Sequence, residues 1–476
     1  MQKPESKTKL ALAILGVALI LGLLADVLLR GTAWGINLTL WIACLVGGLF
    51  TAKRIGDGSL EFGSAVLIAP MVLFGICFAW RDSSMLRSLD LGAIILAAGL
   101  VITRQSAPFW APSISRVFGS LVNLTAHCFA GFAHLISRDI DWSQQRSAMV
   151  AANARSAAAG FLIAAPLLVV FTILFMRADA AFENLFTELL HVNVLTHLLP
   201  IAIGTWLAGS YLRGVLVASA PASRQTPSQK VILGATEIAV ALALVNILFA
   251  VFVAVQIRYL FGNARMIETT PGMTYAIYAR RGFFELVIVA LMVLPILLAA
   301  DRVHTVTQSK RVFRIQALAL VGLVLCVMGS ALHRMRLYQF AYGLTELRFY
   351  VTAFMIFLAL VFGLFCLTVL RDYRGLFAMG TVAIGFAAIL LLHVVNPDRW
   401  IAATNIENQK AGRRSDPEYL KTLSADAVPI LLANSSIVPR QDIVDQFRLR
   451  LSYLDDWRSW NYSRYMAERA IRERSR

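Results

Sequence analysis

Arg281 and Glu285 stand four residues apart, a spacing that puts them on one helix face where they can pair, while Arg280 points elsewhere. They open a long apolar run, and ionised groups at the end of such a run need a partner or water. The same mixture recurs downstream. Arg334 and Arg336 precede Tyr342-Gly-Leu-Thr-Glu-Leu-Arg348, which adds Glu346 and Arg348, and Asn396-Pro-Asp-Arg-Trp-Ile-Ala-Ala-Thr-Asn405 adds Asp398 and Asn405. Guanidinium groups near a membrane surface suit phosphate or carboxylate through paired N–H donors. A carboxylate partly removed from water, Glu285, Glu346 or Asp179, suits general-base chemistry, although a neighbouring Arg opposes the raised pKa this requires. An interfacial anchor with a local ion pair explains Arg281 and Glu285 equally well, and Gly and Thr before Glu346 also suit an ordinary helix start.

The elements that must position these residues are membrane helices. Hydrophobic residues make up 58% of the 476 and charged residues 15%, with a mean hydropathy of +0.68, so lipid is the solvent for most of the chain. A bilayer core needs about 20 apolar residues per helical span, and such runs recur from Leu10 to Val395. The expected fold is an all-α polytopic transmembrane bundle of about eleven spans, ten to twelve being compatible, with a small helical C-terminal domain. The spans begin near Leu10, Ala33, Ser64, Leu86, Ala157, Leu195, Val231, Gly282, Val312, Tyr350 and Gly375. Four segments follow: 1–105 with four spans, 106–156 as an amphipathic interfacial or cytoplasmic stretch, 157–395 with seven spans, and the polar tail 396–476. The first run follows Lys3, Lys7 and Lys9 but offers no small-residue cleavage site, so it reads as a retained span.

Net charge is +16, from 44 basic and 28 acidic residues, and in this setting it reflects loop asymmetry rather than nucleic acid. The larger share of Lys and Arg falls on the N-terminus and on the loops around Arg104 to Arg155, Arg224, Lys310 and Arg371. Those connections are therefore cytoplasmic and the tail extracytoplasmic. Connections two spans apart open on one side, which puts the loops through Arg280, Arg334 to Tyr350 and Asn396 on a single face. By the charge rule that face is outside, with Asp26, Asp90, His333 and His393 also on it.

Glu237, Asn246 and Gln256 lie in one span, but spacings of nine and ten scatter them around the helix, so they read as separate bonds to neighbouring helices rather than an ion path. Five cysteines, Cys44, Cys77, Cys128, Cys326 and Cys366, show no Cys-x-x-Cys spacing, which points to neither zinc nor disulfides. No nucleotide, zinc-protease or nucleophile-elbow signature occurs, and no cofactor or metal is expected. In the tail, Asp416 before Pro417 is a helix start. Ile443, Phe447 and Leu451 recur at helical spacing ahead of Trp457, Trp460, Tyr462 and Tyr465, an aromatic group that suits either packing or docking on the membrane surface.

Tyr-Leu-Phe-Gly262, Tyr-Ala-Arg-Arg-Gly-Phe-Phe-Glu-Leu286, Tyr-Gly-Leu-Thr-Glu-Leu-Arg348, Asn396-Pro-Asp and Ser424-Ala-Asp-Ala-Val-Pro429 together resemble a bacterial multipass membrane family catalogued as a domain of unknown function, of the DUF4153 and DUF4173 type. The resemblance runs from about Ala178 to Pro429 and implies a bacterial cell-membrane location and a helical architecture, with no activity or catalytic residue to carry over. The favoured reading is a non-enzymatic inner-membrane protein whose outer face binds an anionic or lipid-linked ligand or a protein partner. The alternatives are a membrane enzyme on a lipid-linked substrate and a transporter, the latter requiring a polar midplane cavity and broken helices.

Overall fold

The computed structural model describes residues 4–56, 62–103, 114–141, 193–217, 235–261, 283–304, 310–413, 416–451 and 456–473, with part of 164–179. All regular structure among them is helical. In chain order the helices are α1 (Pro4–Leu29), α2 (Ile36–Ile55), α3 (Phe62–Trp80), α4 (Ser84–Thr103), α5 (Ile114–His134), α6 (Asn193–Leu216), α7 (Ala235–Phe261), α8 (Phe283–His304), α9 (Lys310–Tyr342), α10 (Glu346–Thr368) and α11 (Arg374–Val395). The tail adds α12 (Pro397–Lys410), α13 (Pro417–Thr422), α14 (Val428–Leu432), α15 (Arg440–Leu451) and α16 (Tyr462–Glu473).

Seven of these are long and apolar enough to cross a membrane: α1, α2, α4, α7, α9, α10 and α11. Three further expected spans fall on α3, α6 and α8, and the one expected from Ala157 falls largely outside the described residues. The exposed large side chains agree with a lipid solvent. On α1, Leu12, Leu19, Ile20, Leu23 and Val27 face outward while Leu10, Ile14, Ala18, Leu21 and Ala25 are buried. This is an integral membrane protein with an all-helical bundle architecture.

The chain forms two compact units. The first comprises Met1–Phe109, Ile114–Ser223 and Arg448–Tyr465. Its closest pair is α1 against α6, antiparallel and joined through small residues. A Cβ on Gly22 would lie 2.5 Å from the Ile201 carbonyl oxygen and 2.0 Å from Thr205 Oγ1, and one on Gly204 would lie 2.7 Å from Ala25 Cβ. Backbones that approach this closely gain dispersion contact, which is what holds helices together where lipid is as apolar as the side chains. Helix α5 forms in the stretch read as amphipathic and lies on α4 and α6. A Cβ on Gly131 would meet Ser210 Cα at 3.0 Å.

The second unit comprises Trp110–Ser113, Arg224–Phe447 and Met466–Arg476. Helix α9 is its axis, packed by α7, α8 and α10, with α11 on α10. Of α7's span only 6% is buried, against 44% for α9's, so α7 is peripheral. Its polar groups are used on α9. Asn246 Nδ2 donates to the Gln316 carbonyl at 3.1 Å, Gln316 Nε2 donates to the Ala239 carbonyl at 3.1 Å, and Gln256 Oε1 accepts from Ser330 at 3.1 Å and Arg334 at 2.6 Å. One end of this unit is stitched by ions. Arg374 grips both oxygens of buried Asp301, at 2.7 and 2.9 Å, and Asp372 meets Arg314 and Arg374 at 2.7 and 2.9 Å. The opposite end carries the candidate site.

Candidate functional site

At that end α9 stops at Gly343, whose φ of +75° only glycine adopts without strain. Thr345 in extended conformation then starts α10. The three-residue turn is clamped by Asn405 of α12, whose Oδ1 accepts from the Leu344 N–H at 2.7 Å and whose Nδ2 donates to the Leu344 carbonyl at 2.7 Å. A Cβ on Gly343 would fall 2.7 Å from Asn405 Oδ1, a second reason for glycine there. Arg348 donates to the Gly343 carbonyl and, at 3.2 Å, to that of Tyr342, with its guanidinium 4.0 Å over the Tyr338 ring. These contacts answer the carbonyls that a helix end leaves without N–H partners.

Helix α12 begins immediately after α11, at Asn396. That residue takes φ 55°, turns the chain, and caps α12 by accepting from the Arg399 N–H at 3.3 Å. Pro397 and Asp398 form the first turn, and Asp398 is fully buried. Its Oδ2 accepts from the Ser424 N–H at 3.2 Å, and its Oδ1 takes no hydrogen bond from any described residue. Around it stand Glu346, Asp426 and Tyr419. The Tyr419 hydroxyl accepts from the Glu346 N–H at 2.7 Å, and Ser424 Oγ donates to Asp426 Oδ2 at 3.3 Å.

Burial above all, then the negative charges of Glu346 and Asp426, push the Asp398 carboxyl up to about 7, with its hydrogen bonds from Ser424 acting in the opposite direction. Burial, aided by Glu346 and Asp398, likewise pushes the Tyr419 hydroxyl up to about 12. Near neutral pH the group at the centre of the site is therefore a carboxyl divided between neutral and ionised forms. It can donate a hydrogen bond in the first form and hold a cation in the second.

Of the residues singled out from sequence, Glu346, Arg348, Asp398 and Asn405 come together here. Arg334 sits further back on α9, bonded to Gln256. Arg336 is exposed, as is Glu285 in the first turn of α8. Arg280 and Arg281 lie outside the described residues. Sequence reasoning missed Tyr419, Ser424 and Asp426 as members of the site; the signal available was a Ser-x-Asp helix start within the Ser-Ala-Asp-Ala-Val-Pro string.

This junction of α9, α10, α12 and the turn at 424–427 lies inside a match to the family model described as Domain of unknown function (DUF4153), which spans residues 68–434. The chain belongs to the DUF4153 family. Neither the curated proteins nor the solved structures contain a match. The DUF4153 match takes in every residue of the Asp398 site and ends just after α14, leaving α15 and α16 beyond it.

Proposed function

We propose that this DUF4153 protein is a non-enzymatic component of the bacterial inner membrane that binds a ligand at its extracytoplasmic face, with the Asp398 site as the point of recognition. On this reading the N-terminus is cytoplasmic and the tail outside, as the loop charges favour. The observation in support is a fully buried carboxyl with an oxygen that no described group serves, set beside two further carboxyls. A buried polar atom without a partner is costly, and a ligand that supplies the missing donor recovers that cost.

The sequence pointed to an anionic or lipid-linked ligand or a protein partner through its arginines. Arg334 and Arg348 are both engaged within the fold, so around Asp398 the balance of charge favours the lipid-linked option with a donor group, an ammonium or hydroxyl of a head group. An anionic preference stays with Arg280 and Arg281.

The test compares head groups that differ only in N–H donors. In native mass spectrometry of the purified protein, phosphatidylethanolamine should be retained roughly tenfold better than phosphatidylcholine, and Asp398→Asn should abolish the difference. Equal retention of the two lipids by the unaltered protein, or a preference that survives Asp398→Asn, contradicts the proposal. One observation favours an enzyme as the second reading. Asp398 and Glu346 form a carboxyl pair in which burial raises one member toward neutrality, as in acid–base pairs.

A further inference from the structure

In the first unit the tail residues 456–465 form a strap over the ends of α1, α2 and α3. Asn461 Nδ2 donates to the Phe78 and Arg81 carbonyls at 2.8 and 2.9 Å, and Ser463 Oγ donates to the Trp80 carbonyl at 3.0 Å. Arg464 reaches Asp82 at 2.8 Å, and the Ile36 N–H donates to the Trp460 carbonyl at 2.9 Å. Under this strap lies a set of groups with no role in the Asp398 site. Asp26, in the last turn of α1 and with a side chain 9% exposed, has Arg30 Nε 2.9 Å from one oxygen and His197 Nδ1 2.7 Å from the other. Arg458 of the strap donates to the Val27 carbonyl, one residue along from Asp26.

We propose that Arg30 and His197, both held by Asp26, bind the phosphate group of a membrane lipid. The geometry leaves the two Nη groups of Arg30 and Nε2 of His197 without a partner among the described residues, on side chains 39% and 44% exposed. With Nδ1 committed to Asp26, Nε2 is the ring nitrogen left to meet one phosphate together with the guanidinium of Arg30. His197 also lies near the N-terminal end of α6, where the helix dipole favours negative charge.

A second observation indicates that the anion is carried by a lipid. The strap turns Asn461, Ser463 and Arg464 inward and leaves Trp457, Trp460, Tyr462 and Tyr465 exposed. Tryptophan and tyrosine held at the ends of membrane helices occupy the head-group layer, the level at which lipid phosphates lie. The tight α1–α6 packing through Gly22 and Gly204 sets the two halves of the site against each other. The proposal goes beyond the Asp398 reading and shares with it only the position of a helix end at the membrane surface.

The experiment titrates the full-length protein, in a detergent without ionic head groups, with dihexanoyl phosphatidate, dihexanoyl phosphatidylcholine and inorganic phosphate, followed by calorimetry. Phosphatidate is expected to bind better than phosphatidylcholine. Arg30→Gln and His197→Gln should each weaken it by roughly tenfold. Arg30→Lys should keep part of the affinity, which separates loss of the site from loss of the fold. Inorganic phosphate binding as tightly, with the same dependence on Arg30 and His197, would uphold phosphate recognition and overturn the assignment to lipid. The phosphatidate titration reads Arg30 and His197 while the comparison of phosphatidylethanolamine with phosphatidylcholine reads Asp398, so that failure of one site is not mistaken for failure of the other. Absence of phosphatidate binding, or binding that both glutamine variants retain in full, overturns the proposal.

Discussion

Replacing Asp398 with asparagine stabilises the protein at about pH 8 by up to roughly 4 kcal/mol, and the gain shrinks steadily as the pH is lowered toward 4. The carboxyl titrates at about 7 in the fold against an ordinary 3.8, so the folded state holds its proton more tightly than the unfolded chain does. For an acid displaced in this direction, stability falls as the pH rises through the interval between the two values and stays level above it. An amide of the same shape still accepts from the Ser424 N–H and carries no charge to desolvate. Unfolding followed in a detergent without ionic head groups, at about pH 5 and about pH 8, measures the effect. A stability difference of the same size at both pH values would mean that Asp398 does not titrate in the fold.

The second large effect lies in the first unit. Gly22→Leu should prevent α1 and α6 from closing and should cost roughly 3 kcal/mol or more, because even the first added carbon overlaps the Ile201 carbonyl and Thr205. Gly16→Leu, six residues earlier on the same helix, is the control, since a Cβ there meets nothing within 4 Å. Thermal unfolding and size-exclusion profiles should separate the two variants. Equal behaviour would contradict the packing described here.

What the sequence revealed follows from how far each signal travels along the chain. Spans are read from local composition, and α1 to α4 and α6 to α11 start close to the apolar runs expected for them. Caps are local too: Asp416 accepts from the N–H groups of Glu418 and Tyr419 ahead of α13, as its position before Pro417 suggests. The gathering of Glu346, Arg348, Asp398 and Asn405 was within reach because parity of the spans assigns connections to one end without any knowledge of packing.

The rest depends on contacts between residues far apart in the chain. Arg348 reads as an anion binder by type, yet helix α9 ends in carbonyls that only a nearby guanidinium answers. Nothing local to Asp26 announces His197, 171 residues away. Hydropathy likewise gives no sign that the strap after α15 returns to the ends of α1, α2 and α3, because Asn461 and Ser463 act on backbone carbonyls that every sequence possesses.

On the proposed reading the Asp398 site opens on the extracytoplasmic face. Trp400, exposed on α12 two residues from Asp398, and Tyr373, exposed at the ion-stitched end of the same unit, are the reporters. In a background free of the native cysteines, single cysteines at these two positions should be treated in intact spheroplasts with a membrane-impermeant thiol reagent. Trp400→Cys should be labelled from outside and Tyr373→Cys only after lysis. Labelling of Tyr373→Cys from outside, with Trp400→Cys reached only after lysis, would put the site in the cytoplasm and contradict that reading.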